Sequence, residues 1–262
     1  MKEQKMNYPI SIFILDVSNS SSGDMGDELT NYLDELVNWV NAWSEKIGHV
    51  KVKHRAGDEI IFVGYGYSTA YILAFFISRI WKFRDHAPYF GLSFGDSDKE
   101  LEEVDIEKWI HPLIKQARYA NDLLKEEPVR PLFKFELDQF YQNPFFQYNQ
   151  FRSEFETLIN SLISVQLIMM KGQTRIQEQV CTFYLILEQQ KAVAKLLGKT
   201  APTISSHYKK GKSEEILSVF YKLITTLDSL QEKSYSDDLD KQALSAALME
   251  SIRNHLKINF IK

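Results

Sequence analysis

Cysteine is almost absent from this chain. The single one, Cys181, excludes an internal disulfide, and its place within an apolar helical stretch suits a core residue better than a nucleophile. Long hydrophobic runs are missing too. The longest, Ala70 to Trp81, contains Arg79 and falls short of the roughly 20 residues needed to cross a bilayer. Met1-Lys2-Glu3-Gln4-Lys5 leads into a six-residue apolar strand, not into the core of a secretory signal, so a cytoplasmic location is expected. A net charge of −4 gives no whole-chain attraction to nucleic acid, and any basic surface has to be local. There is no internal repeat and no long low-complexity tract. The 262 residues, 44% hydrophobic and 25% charged, fit one large soluble domain or two modest ones.

The stretch with most to say is His54-Arg55-Ala56-Gly57-Asp58-Glu59, followed by the apolar run Ile60 to Val63. Before it, Val50, Val52 and His54 alternate with Lys51, Lys53 and Arg55, which is the period of a strand. Gly57-Asp58 is a turn dipeptide, so Asp58 is expected at the tip of a hairpin, either as a turn-former or as a ligand-binding acid. A second acid, Asp16, ends the apolar strand Ile10 to Leu15. If the two strands are neighbours, Asp16 and Asp58 form a pair that holds a divalent cation or suffers mutual repulsion. The turn after Asp16 is rich in small hydroxyl residues, including Ser18, Ser20 and Ser21. Its N–H groups suit phosphate oxygens, and the plainer reading is a loop with helix-capping serines.

Further along, the spacing predicts a helix over 27–47, a strongly apolar helix capped by Ser68 and ending near Phe83, and a strand from Pro88 to Phe94. Residues 98–127 read as helical with a break at His111-Pro112, and Leu132 to Leu137 as a short fifth strand. The order β-α-β-β-α-β-α-β over residues 1–138 implies an α+β domain with a ferredoxin-like core and one extra strand. Residues 139–150, aromatic and rich in Asn and Gln, read as a linker, and 151–262 as an all-α domain. There Leu158, Leu162, Val165 and Ile168-Met169 make one apolar face, and Val180, Tyr184, Leu185 and Leu187 another.

Asp16 followed five residues later by Ser21, with Gly57-Asp58-Glu59 at a hairpin, resembles the catalytic domain of class III nucleotidyl cyclases and, more distantly, the diguanylate cyclase fold. The resemblance implies metal ions on Asp16 and Asp58 and a nucleotide ligand. It further implies that Arg118 stabilises a transition state from the neighbouring subunit of a homodimer, with His54 and Glu107 at the base-reading positions. Ile114 stands where the family has asparagine and His54 where it has lysine, which implies binding without cyclisation. The same residues, with Ala117-Arg118, resemble the SatD-like family of bacterial proteins, whose chains also end in a helical segment.

That segment carries the second candidate. In Gln190 to Lys212, Ala194 is small where helices must cross, Gly198 suits a tight turn, and Val193, Leu197 and Ile204 fill the space between. Thr200 can cap a second helix with Pro202 in its first turn, and the whole spacing is that of a helix-turn-helix in residues 190–210. Six lysines and no acid lie between Lys191 and Lys212. Thr203, Ser206 and His207 are expected to face base edges of duplex DNA, and Lys209, Lys210 and Lys212 its phosphates. The same motif would also serve as a helical hairpin with a solvated lysine face, or as a protein contact. Taken together, the expectation is a regulator joining a cyclase-like nucleotide- or metal-binding domain to a DNA-binding element. An active nucleotidyl cyclase and a non-catalytic interaction module are the alternatives.

Overall fold

Strand β1 (Tyr8–Val17) is apolar on both sides because both sides are covered. Phe13, Leu15 and Val17 enter one core, and Ile10, Ile12 and Ile14 enter a second on the opposite face. In the computed structural model, which describes residues 8–18, 26–45, 48, 50–55, 57–127, 130–137, 151–232 and 241–261, β1 is the middle of a five-stranded mixed sheet. With β2 (Val50–Arg55), β3 (Glu59–Tyr65), β4 (Pro88–Ser97) and β5 (Phe133–Phe135), the order is β2-β3-β1-β4-β5. The first four are antiparallel neighbours, and β5 runs parallel to β4. Among the described residues the chain is α+β with nine α-helices, none long and apolar enough to cross a membrane.

Helices α1 (Gly26–Ser44) and α2 (Thr69–Ile80) cover one face of the sheet, and α3 (Pro112–Glu126) covers the other. Helix α2 is apolar all round, so it needs a second cover. That cover comes from the later helices: α4 (Arg152–Lys171), α5 (Arg175–Leu187), α8 (Ser213–Glu232) and α9 (Lys241–Asn259). Phe220 of α8 stacks on Phe75 with ring centroids 4.2 Å apart, and the Tyr71 hydroxyl donates to Gln166 Oε1 at 3.1 Å. Arg79, the one charge in the apolar run, is buried and donates to Thr182 Oγ1, Gln173 Oε1 and the Glu178 carbonyl. A single hydrophobic core therefore runs from β1 to α9. The expected linker, 139–150, lies outside the described residues.

Four expectations need correction. Ser68 does not cap α2 with its side chain; its Oγ donates to Asp228 Oδ1 at 2.6 Å, while Ser11 Oγ of β1 accepts from Ala70 N at 2.9 Å. The α2 helix stops at Ile80, short of Phe83. Residues 98–111 are not one helix: a single 3-10 turn (Leu101–Glu103) and an irregular connection precede α3, whose start is set by the His111 cap and Pro112. Asp105 Oδ1 accepts from Glu107 N within that connection, a local turn that competes with helix. Finally, α4 buries Ile159, Ile163, Gln166 and Leu167, whereas Leu158, Leu162, Val165 and Ile168 are exposed.

The free edge of β5 is sealed by side chains from α4. Asn160 bonds both backbone groups of Phe135, and Glu156 Oε2 accepts from Leu137 N at 2.7 Å. An edge closed this way offers no ladder to another strand.

Candidate functional site

Strand register decides what meets at the end of β1. Leu15 pairs with Ile60 and His54 with Ile60, all on the α1–α2 face, so Asp16, Arg55 and Glu59 fall on the opposite face, under α3. Helix α3 comes close to the sheet at Gly91. A Cβ there would lie 2.0 Å from the Ala117 carbonyl oxygen, so only glycine permits the approach. Asn121 fixes it, its Nδ2 donating to the carbonyls of Ile14 (2.8 Å) and Tyr89 (3.1 Å). This brings Arg118 and Lys125 of α3 onto the strand ends.

Asp16 and Asp58 lie within hydrogen-bonding reach of one another. Burial, followed by the Asp58 carboxylate, holds the Asp16 carboxyl above its ordinary range, against the opposing pull of Lys125, whose Nζ contacts Asp16 Oδ2. Beside them Arg118 grips Glu59 with both nitrogens, Nη1 at 2.6 Å and Nη2 at 3.0 Å, and Arg55 Nη1 reaches Glu59 Oε1 at 3.5 Å. Two charge clusters therefore lie side by side at the end of β1: Arg55 and Arg118 on Glu59, and Lys125 on Asp16, which also faces Asp58. The side chains of Arg118 and Lys125 are nearly half exposed, so both can turn outward to an anion without uncovering the core.

Among the described residues no group of three or more His, Cys, Asp and Glu could hold a metal ion. Asp16 and Asp58 are two carboxylates, as many as a magnesium-type site takes from protein when phosphate and water complete its shell, and the Lys125 ammonium contacts one of them. Arg118 is engaged within its own chain. Ile114, at the position read as an asparagine replacement, packs in the core beneath α3.

The remaining residues of this candidate scatter. His54 lies on the other face, its Nδ1 2.7 Å from Asp34 Oδ1 and its Nε2 3.1 Å from the Gly57 carbonyl, which pins the hairpin to α1. Its alternation with Val50 and Val52 carried that information. Glu107 pairs with Lys53 at 2.6 Å in the connection before α3. Ser18 spends its N–H on the Ala87 carbonyl and its own carbonyl on His86 Nδ1, so its backbone is not open to phosphate. Ser20 and Ser21 lie outside the described residues. Asn121 and Lys125 went unnoticed in the sequence, and Gly91 within an apolar strand was the available signal for a close helix.

The second candidate is assembled from α5, α6 (Gln190–Leu196) and α7 (Ala201–Lys210), which share a core of Val180, Val193, Ala194, Ile204 and Tyr208. Gly198 takes φ +59, which favours glycine in the turn between α6 and α7. Thr200 caps α7, its hydroxyl accepting from Thr203 N at 3.4 Å. Ile204 and Tyr208 point inward, so the outward ridge is Pro202 and Thr203, Ser206, then Lys209 and Lys210. Thr203 is half-buried and bonds Thr200; Ser206, Lys209, Lys210 and Lys212 are exposed. His207 is half-buried with its Nδ1 turned inward and unpartnered, so it flanks the ridge and does not crown it. All six lysines between Lys191 and Lys212 are exposed, and among the described residues none forms an ion pair.

No family model matches the chain, and no curated protein or solved structure matches it.

Proposed function

We propose that this protein is a regulator that binds duplex DNA through α7, with the charge network at the end of β1 as the site where an anionic ligand, a nucleotide in the first place, is read. The observation that carries the DNA half is the surface of α6–α7. A helix-turn-helix turn with glycine in a left-handed conformation presents a short polar ridge, framed by six exposed lysines with no ion-pair partner among the described residues. In a protein with 35 acidic residues against 31 basic ones, a run of six lysines with no acid among them is a local excess of positive charge. A helix left uniformly basic keeps its charge for phosphates.

The order β2-β3-β1-β4 with antiparallel neighbours supports a ferredoxin-like reading of the first part, β5 being the added strand. It fits the resemblance to cyclase-type and SatD-like chains. Binding without turnover is favoured by the bidentate grip of Glu59 on Arg118, and by His54 lying on the face away from the acid pair. A divalent cation enters this reading only together with a phosphate ligand. Lys125 and Arg118 would then leave Asp16 and Glu59 for the phosphate oxygens, freeing the carboxylates. Calorimetry with Mn²⁺, with a nucleoside triphosphate, and with both tests this half. Heat only in the combined titration is the expected result, and its absence in all three removes the ligand-reading role.

A further inference from the structure

Among the described residues, helix α4 has an apolar face that covers nothing. Leu158, Val165 and Ile168 are 62%, 54% and 70% exposed, the most exposed large apolar side chains of this helix, and Leu162 flanks them. From Thr157 to Met170 the helix carries no charged residue. The exposed face also holds Thr157, Ser161 and Ser164, and each hydroxyl donates back to the carbonyl four residues earlier, at 2.9, 2.7 and 2.8 Å. Burying this face would strand no hydroxyl donor. Small residues between large ones also let another helix approach closely.

The midline of the face is Glu154, Leu158, Ser161, Val165, Ile168 and Gly172, with gaps of four and three in alternation, the spacing of a two-helix seam. The ends of that line select the partner. In an antiparallel pairing of α4 with itself, Ser161 falls opposite Val165 and Leu158 opposite Ile168. Glu154 falls opposite Gly172, beside Lys171, and the contact occurs twice about the two-fold axis. Neither Glu154 nor Lys171 has an ion-pair partner among the described residues; Lys171 makes only a 3.3 Å bond to the Arg130 carbonyl. A parallel pairing would set Glu154 against Glu154. We infer that the chain forms a two-fold homodimer through antiparallel α4 helices, with reciprocal Glu154–Lys171 pairs closing the two ends of the seam.

At 20 residues α4 offers a seam about 30 Å long. The inference stands apart from the DNA reading and does not use Arg118. If both hold, the dimer carries two copies of α7 related by a two-fold axis, which calls for a palindromic target.

The test is sedimentation velocity on the full chain from about 1 to 100 µM, with each variant's fold checked by circular dichroism. Wild type is expected to be dimeric at the upper end. V165E and I168E alter exposed side chains, so the fold should persist while the dimer is lost by at least a hundredfold in Kd. E154K and K171E should each weaken it by about tenfold, and the double variant E154K/K171E should restore it. A wild type that is monomeric at 100 µM, whether because the face is bare or because residues 138–150 of the same chain cover it, overturns the proposal. So does a dimer indifferent to V165E and I168E. Failure of the charge swap to rescue overturns the antiparallel register.

Discussion

Truncating Phe220 to alanine should loosen the sheet as much as the helices. The ring is fully buried in α8, stacked on Phe75 at 4.2 Å and within 6.0 Å of Tyr71 and Phe76, all on α2. Those three side chains belong to the same continuous core as Phe13, Leu15 and Phe90 of the sheet. Phe→Ala in such a setting costs about 3–5 kcal/mol, transfer and cavity terms together. That is a large share of the roughly 5–15 kcal/mol typical of a folded domain. At about 2–4 °C per kcal/mol for a chain of this size, the melting temperature should drop by on the order of 10 °C. Hydrogen exchange followed by mass spectrometry locates the loss. If α2 joins both halves into one cooperative unit, amides of β1, β3 and β4 should lose protection by the same free energy as those of α4 and α8. Loss confined to peptides after residue 150, with the sheet unchanged, would refute the shared core.

Asp16→Asn should raise thermal stability at neutral pH. The folded state holds the Asp16 carboxyl above its unfolded value, so Asp16 contributes stability only below the unfolded value, near 3.8, and this is lost as pH rises through the folded one. The variant's advantage should therefore be present at pH 7 and vanish near pH 3.5; an equal shift at both pH values would contradict it. His111 runs the other way. Burial pushes it down to about 4 from 6.5, with Asp98 opposing weakly, while its Nδ1 caps α3 by accepting from Leu113 N. Stability from the neutral ring is present above pH 6.5 and lost as pH falls toward 4. His111→Asn, which keeps a cap acceptor, should flatten that decline in melting temperature, and an unchanged profile would refute the assignment.

How much of this was legible depended on whether phase along the chain mattered. The strands announced themselves through Ile10 to Leu15, Ile60 to Val63 and the Val/Lys alternation of 50–55, because burial on two faces and on one face leave different patterns. The meeting of Asp16 and Asp58 followed from their positions at strand ends. Their neighbours did not follow, because a shift of one residue moves a side chain to the other face; His54 and Arg55 are adjacent in sequence and lie on opposite sides of the sheet. Lys125 and the Arg118–Glu59 grip depended on where α3 begins, and the local turn at Asp105 moved that start to Pro112. In α4 both Leu158-Leu162-Val165 and Ile159-Ile163-Leu167 satisfy a helical period, so sequence alone could not say which stripe faces the core. The unit around Gly198 was legible because its geometry is local.

Duplex DNA binding by α7 is measured by fluorescence anisotropy of the full chain with pools of duplex genomic fragments, at salt concentrations from about 50 to 300 mM. The expected result is binding whose log–log salt slope is about −0.9 per phosphate neutralised, so several lysines of α6–α7 give a steep line. Lys210→Ala should weaken every sequence alike and reduce the slope by about 1, whereas Ser206→Ala should relax sequence preference with the slope nearly unchanged. No binding above background at the lowest salt, or binding that Lys209→Ala and Lys210→Ala together leave untouched, would contradict the reading of α7 as a DNA-binding helix.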